Sequence, residues 1–102
     1  MDFLLPATGI FTIYSKPGCV FCERAKSLLA EKGIEYAQID CQEYLLKNRD
    51  AFLDFIKAIS ARDHRTFPMV FNGSGGFVGG FTELKAILDE DEKTELDFSA
   101  EF

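Results

Sequence analysis

The chain of 102 residues has no tryptophan, one histidine, three cysteines and three prolines. Each scarcity narrows what it can be. Cys19 and Cys22 are the one closely spaced cysteine pair, and Cys41 and His64 are separate singles. A structural zinc site usually takes two such pairs, so here it would have to be improvised. No apolar run approaches the ~20 residues that a membrane-spanning helix needs. No cluster of lysine and arginine resembles a nucleic-acid patch. The N-terminal stretch MDFLLPATGIF carries Asp2 and Pro6 and no basic residue, which makes a poor signal peptide. The protein is therefore expected in the cytoplasm, where cysteines stay reduced and a disulfide is more often catalytic than structural.

What is abundant is phenylalanine, with eleven residues, and acid near the C-terminus. Phe11, Phe52, Phe55 and Phe71 are expected in the core. From residue 89 onward, Asp89, Glu90, Asp91, Glu92, Glu95, Asp97 and Glu101 face only Lys93, so the whole net charge of −6 belongs to this segment. Residues 1–88 are neutral in balance and read as one domain, and 89–102 as a solvated acidic tail. A chain of this length has room for one modest core.

Ile10 to Tyr14 is β-branched and aromatic and reads as a strand. From Val20 to Lys32, Ala25, Leu28 and Leu29 recur at helical spacing, with Gly33 as a stop. Ile34 to Asp40 alternates as a second strand, parallel to the first across the intervening helix. Tyr44 to Ser60 is a second helix with a weak spot at Asn48-Arg49-Asp50. A polar loop, SARDHR, leads to Phe67–Phe71 and Phe77–Val78, two short strands around Asn72-Gly73. Thr82 is placed to cap a last helix from Glu83 to about Leu88. The order is β-α-β-α-β-β-α, a mixed four-stranded sheet flanked by helices. Pro68 cannot donate to a ladder, so the chain there should face a loop or a ligand.

The stretch KPGCVFC, residues 16–22, then acquires a mechanism. A disulfide between Cys19 and Cys22 closes too small a loop to constrain the unfolded chain much. Cys19, however, opens a helix whose unpaired N–H groups and positive dipole end favour a thiolate. Lys16 adds a nearby positive charge, and both effects lower a thiol pKa from ~8.5. Cys22 lies one turn deeper. Cys19 is thus the attacking sulfur and Cys22 the resolving one. Cys41 reads as a passive thiol, with a regulatory glutathionylation site as the sharper alternative. His64 reads as a loop residue.

Over about residues 10–88 the chain resembles the thioredoxin-like fold, and within it the glutaredoxins. The resemblance rests on KPGCVFC, on Thr66-Phe67-Pro68 (similar to the family's Thr-Val-Pro) and on Gly79-Gly80-Phe81-Thr82-Glu83 (similar to Gly-Gly-x-x-Asp). It implies an α/β thioredoxin-like protein acting as a dithiol, glutathione-dependent thiol–disulfide oxidoreductase. Glutathione is the co-substrate and no cofactor or metal is tightly held. The partners are disulfide-containing or glutathionylated proteins. The state is monomeric, with no nucleic acid or membrane partner. Pro68 would be cis and abut the cysteine pair. Lys16 would meet the glycine carboxylate of glutathione, and in the glutathione-binding stretch Thr66, Phe67 and Pro68 the backbone of Phe67 would meet the cysteinyl part, like an added strand. The backbone N–H groups of Phe81 and Thr82 would hold the γ-glutamyl carboxylate, with Gly79 and Gly80 permitting close approach. Lys57, Arg62 or Arg65 would be a second partner of the glycine carboxylate. Val20-Phe21 stands where many members have Pro-Tyr, and resembles the Val-Tyr of phage members that serve ribonucleotide reductase. The resemblance therefore leaves two other roles: a donor to that enzyme recharged by thioredoxin reductase, and a glutathione-ligated [2Fe–2S] carrier.

Overall fold

The computed structural model describes residues 3–89, so most of the acidic tail lies outside the described residues. The elements are β1 (Phe11–Ser15), α1 (Val20–Glu31), β2 (Tyr36–Asp40), α2 (Gln42–Ser60), β3 (Met69–Phe71), β4 (Phe77–Gly79) and a helix over 81–89, α3. The sheet order is β2-β1-β3-β4; β1 and β2 are parallel, and β3 is antiparallel to both β1 and β4. This is the mixed four-stranded sheet expected.

The period of two along the strands divides the core. Ile13 and Val70 point to one face, where Ala25 and Leu29 of α1 meet Leu84 and Leu88 of α3. Tyr14, Met69 and Phe71 point to the other, where they meet Phe52, Leu53 and Ile56 of α2. The result is three layers, helix pair, sheet and helix, with the central strands buried on both sides. Phe52 and Phe71 are fully buried, while Phe11 and Phe55 are partly buried at the edges of these clusters.

Local signals set the boundaries. α1 ends where expected: Gly33 N–H donates to Ala30 O and Ile34 N–H to Leu29 O, the two bonds of a Schellman motif. Gly33 takes φ 69°, which a side chain would disfavour. The weak spot in α2 is real. Asn48 leaves helical geometry (φ −158°, ψ 74°), and its Oδ1 then accepts from Ala51 N–H at 3.2 Å, restarting the helix. α2 begins two residues earlier than expected, because Asp40 Oδ1 accepts from Gln42 N–H at 2.9 Å. β3 begins only at Met69, leaving Phe67 and Pro68 outside the ladder.

Two features were not anticipated. Residues before β1 strap the α2 face: the Phe3 ring lies against Tyr44, Phe52 and Phe55, and Tyr14 Oη donates to Leu4 O at 2.7 Å. And Thr82 is not the cap of the last helix. Gly80 O accepts from Leu84 N–H at 3.1 Å, so Gly80 is the N-cap and Thr82 lies within the first turn.

Candidate active site

β1 delivers the chain to Lys16, Pro17 and Gly18, which turn it into α1. Cys19 is the N-cap of α1, with extended backbone, and its Sγ accepts from Cys22 N–H at 3.2 Å. The sulfur thus occupies the place of a capping oxygen, at the end of the helix where negative charge is stabilised. Cys19 and Cys22 are joined as a disulfide with Cα atoms 5.2 Å apart. Cys19 is half-buried and Cys22 fully buried. An incoming sulfur can reach the first and not the second.

Two recesses flank Cys19 in chain order: Pro17 lines one and Phe21 the other. The second is the groove to which the sequence pointed. Thr66, Phe67 and Pro68, arriving from the α2–β3 loop, line it together with Gly80, Phe81 and Thr82 from the β4–α3 junction. The Phe67–Pro68 peptide bond is cis. Phe21 and Phe81 close one side as a tilted ring pair 5.9 Å apart, and the Arg24 guanidinium lies 5.3 Å from the Phe21 ring. Glu83 stands at the floor of the helix start, where its Oε1 accepts from Gly80 N–H at 2.7 Å.

The first recess is linked to Phe67 through Lys16. Lys16 is exposed and its ammonium sits 5.6 Å from the centre of the Phe67 ring, a cation–π contact. Lys16 and Pro17 share this recess with Gln42, Leu45, Leu46 and Arg49. The second cation beside Lys16 is therefore Arg49. Lys57, Arg62 and Arg65 line neither recess, and Arg65 pairs with Asp63 at 3.0 Å. Nothing local in the sequence singles out Arg49, because its place beside Lys16 depends on how α2 packs. His64 was also missed. It belongs to the loop, as expected, yet it lines the groove.

Cys41 is buried, and burial, with Asp40 alongside, pushes its thiol up to about 12. A thiol so placed is protonated and shielded, which fits the passive reading. No group of residues that could hold a metal ion occurs among the described residues.

A family model described as Glutaredoxin matches residues 11–75, which is more than half of the chain. The chain is 38% identical over 74 residues to the hybrid peroxiredoxin hyPrx5 of Haemophilus influenzae, a match covering 72% of this chain and 27% of that protein. The chain thus spans about a quarter of that relative. Among solved structures, glutaredoxin 1 from Francisella tularensis, complexed with cacodylate, superposes with a TM-score of 0.68 at 29% identity, over 81% of this chain and 95% of that one. A buckwheat glutaredoxin–glutathione complex superposes with a TM-score of 0.59 at 28% identity, over 78% of this chain and 69% of that one. With its cysteine pair at the mouth of a helix, the chain belongs to the glutaredoxin family of thiol–disulfide oxidoreductases.

Proposed function

We propose that this protein is a dithiol glutaredoxin that uses glutathione to reduce protein disulfides and glutathione mixed disulfides, as a monomer in the cytoplasm. One observation carries the reading: Thr66, Phe67, Pro68, Gly80, Phe81 and Thr82, from two distant stretches, line one groove beside the residues that follow Cys19. A tripeptide with a carboxylate at each end suits this surface. Its γ-glutamyl carboxylate goes to the N–H groups of Phe81 and Thr82 at the start of α3. Its cysteinyl backbone runs along Phe67, which the ladder leaves unused. Its glycine carboxylate goes to Lys16 and Arg49. The buckwheat relative was solved as a glutathione complex, which supports glutathione as the class of ligand.

The chemistry balances without a further reagent. Cys19 thiolate attacks the glutathione sulfur of a mixed disulfide and expels the protein thiolate, which takes up a proton. A second glutathione thiolate then attacks the glutathione sulfur on Cys19, giving oxidised glutathione and Cys19 thiolate. With a protein disulfide, Cys22 instead attacks Cys19 in the mixed disulfide, and glutathione reduces the resulting Cys19–Cys22 bond.

The test is glutathione-dependent reduction of a mixed disulfide by wild type, Cys19→Ser and Cys22→Ser. Wild type turns over, Cys19→Ser is inactive, and Cys22→Ser keeps de-glutathionylation. A wild type that is inert with glutathione but recharged by thioredoxin reductase overturns the reading.

A further inference from the structure

His64 has no role in the steps above, yet its position is not that of a surface loop residue. Asp63, Arg65 and Thr66 around it are exposed, while His64 is half-buried. Its ring packs edge-on against Phe77, with centroids 5.1 Å apart at 66°. Its Nε2 lies 3.4 Å from Thr66 Oγ1. A methyl placed on Gly80 would come 3.7 Å from His64 Cε1. The imidazole therefore leans over the N-cap of α3 with its Cε1 edge, flanked by both ring nitrogens, toward the groove that Thr66, Gly80 and Thr82 also line.

We propose that His64 is a specificity-determining residue that donates a hydrogen bond to the α-carboxylate of a γ-glutamyl group. This deepens the glutathione reading and rests on it. The neighbouring groups leave the task to His64. Glu83 is acidic and its Oε1 is already taken by Gly80 N–H. Arg65 pairs with Asp63. Thr66 Oγ1 pairs with Nε2 at 3.4 Å, and in the tautomer where the hydroxyl donates, the proton sits on Nδ1 and that nitrogen can donate to a ligand. Backbone N–H groups at a helix start accept any small anion. A donor set by the α2–β3 loop at a fixed height above them selects a carboxylate carried on a γ-glutamyl arm.

The experiment compares three mixed disulfides of one peptide thiol, made with glutathione, with γ-glutamylcysteine and with cysteinylglycine. Each is assayed with wild type, His64→Ala and His64→Gln, with thermal unfolding checked alongside. A charge-assisted hydrogen bond lost on binding raises KM by about tenfold or more. His64→Ala is expected to show this rise for the glutathione and γ-glutamylcysteine substrates, with cysteinylglycine unchanged. His64→Gln, which keeps an N–H donor, recovers most of the loss. An equal loss on all three substrates, or none on any, overturns the proposal. If wild type itself fails to prefer glutathione to cysteinylglycine, the glutathione reading falls first.

Discussion

Glu83 Oε1 accepts a hydrogen bond from the backbone N–H of Gly80 at 2.7 Å. This is the returning half of a capping box, the N3 carboxylate satisfying the N-cap donor. It holds the β4–α3 junction open at the point where Phe81 and Thr82 present their N–H groups. Glu83→Ala removes the cap and leaves the Gly80 donor without its partner. A loss of about 1 kcal/mol is expected, or a fall in Tm of about 4–8 °C for a domain of this size. Glu83→Gln keeps an acceptor and should lose much less. Thermal unfolding followed by circular dichroism decides it: an equal loss in both variants would show that charge, not the cap bond, stabilises the junction.

The two adjacent glycines should fail in different ways. Gly79 is buried at φ 127°, and an added Cβ would lie 2.6 Å from Glu83 Oε1 and 2.7 Å from its Cγ. Gly79→Ala therefore combines backbone strain with a clash, at a cost of about 1–3 kcal/mol, and lowers the denaturant midpoint. At Gly80 the nearest atoms to an added Cβ are Glu83 Oε1 at 3.5 Å and Pro68 O at 3.6 Å, which is ordinary contact. Gly80→Ala should fold normally and put a methyl into the groove. Its KM for a glutathione mixed disulfide should rise about tenfold, as for one lost ligand contact. A Gly80→Ala protein that is destabilised yet binds normally would reverse both assignments.

Lys16 and Arg49 share one recess, and Lys16 also lies over the Phe67 ring. Both are exposed, so each ion pair with a glycine carboxylate is modest and screened. Lys16→Ala and Arg49→Ala should each raise KM for glutathione about two- to fivefold, corresponding to a surface pair. The effect should fade at high salt and be weaker with γ-glutamylcysteine, whose terminal carboxylate sits one residue closer to the sulfur. Arg62→Ala and Lys57→Ala should change neither. Initial rates at two ionic strengths provide the check, and a Lys57 effect equal to that of Arg49 would displace Arg49 from this role.

The sequence was informative wherever the signal was local. β1, α1 and its Gly33 stop follow from side-chain period and one left-handed residue, so the placement of Cys19 at a helix mouth was readable in advance. The break at Asn48 was also visible as a run of poor helix formers. The place of Arg49 was not, because it shares a recess with Lys16 only through the packing of α2. His64 shows the same limit. Nothing in SARDHR indicates that one of its residues turns inward against Phe77. Hydroxyl residues lead the N-cap ranking, which points to Thr82. Here Glu83, three residues after Gly80, made glycine the better N-cap. The strap formed by Phe3 and Leu4 had no period to betray it, and is held by Tyr44 and Tyr14 from distant elements.

Cys41 and Tyr14 give the fold an alkaline weakness with a definite sign. Burial, then Asp40, pushes the Cys41 thiol up to about 12, against an opposing backbone hydrogen bond with Ser15. Burial likewise raises the Tyr14 phenol, and ionised Cys41 and Tyr44 would raise it further. An unfolded thiol ionises near ~8.5. Above that pH the unfolded chain gives up a proton that folded Cys41 keeps. The contribution to stability is thus complete below ~8.5 and disappears as pH climbs through the folded value. Urea midpoints should be flat near neutrality and fall steadily above this point. Cys41→Ala leaves a small cavity and starts from a lower midpoint, but it removes one of the two titrating groups, so its decline should be shallower and the curves should converge. Native Cys41 should also resist iodoacetamide until the chain is unfolded. Parallel curves for the two proteins, or ready alkylation of the native thiol, would show that Cys41 is neither buried nor protonated in solution.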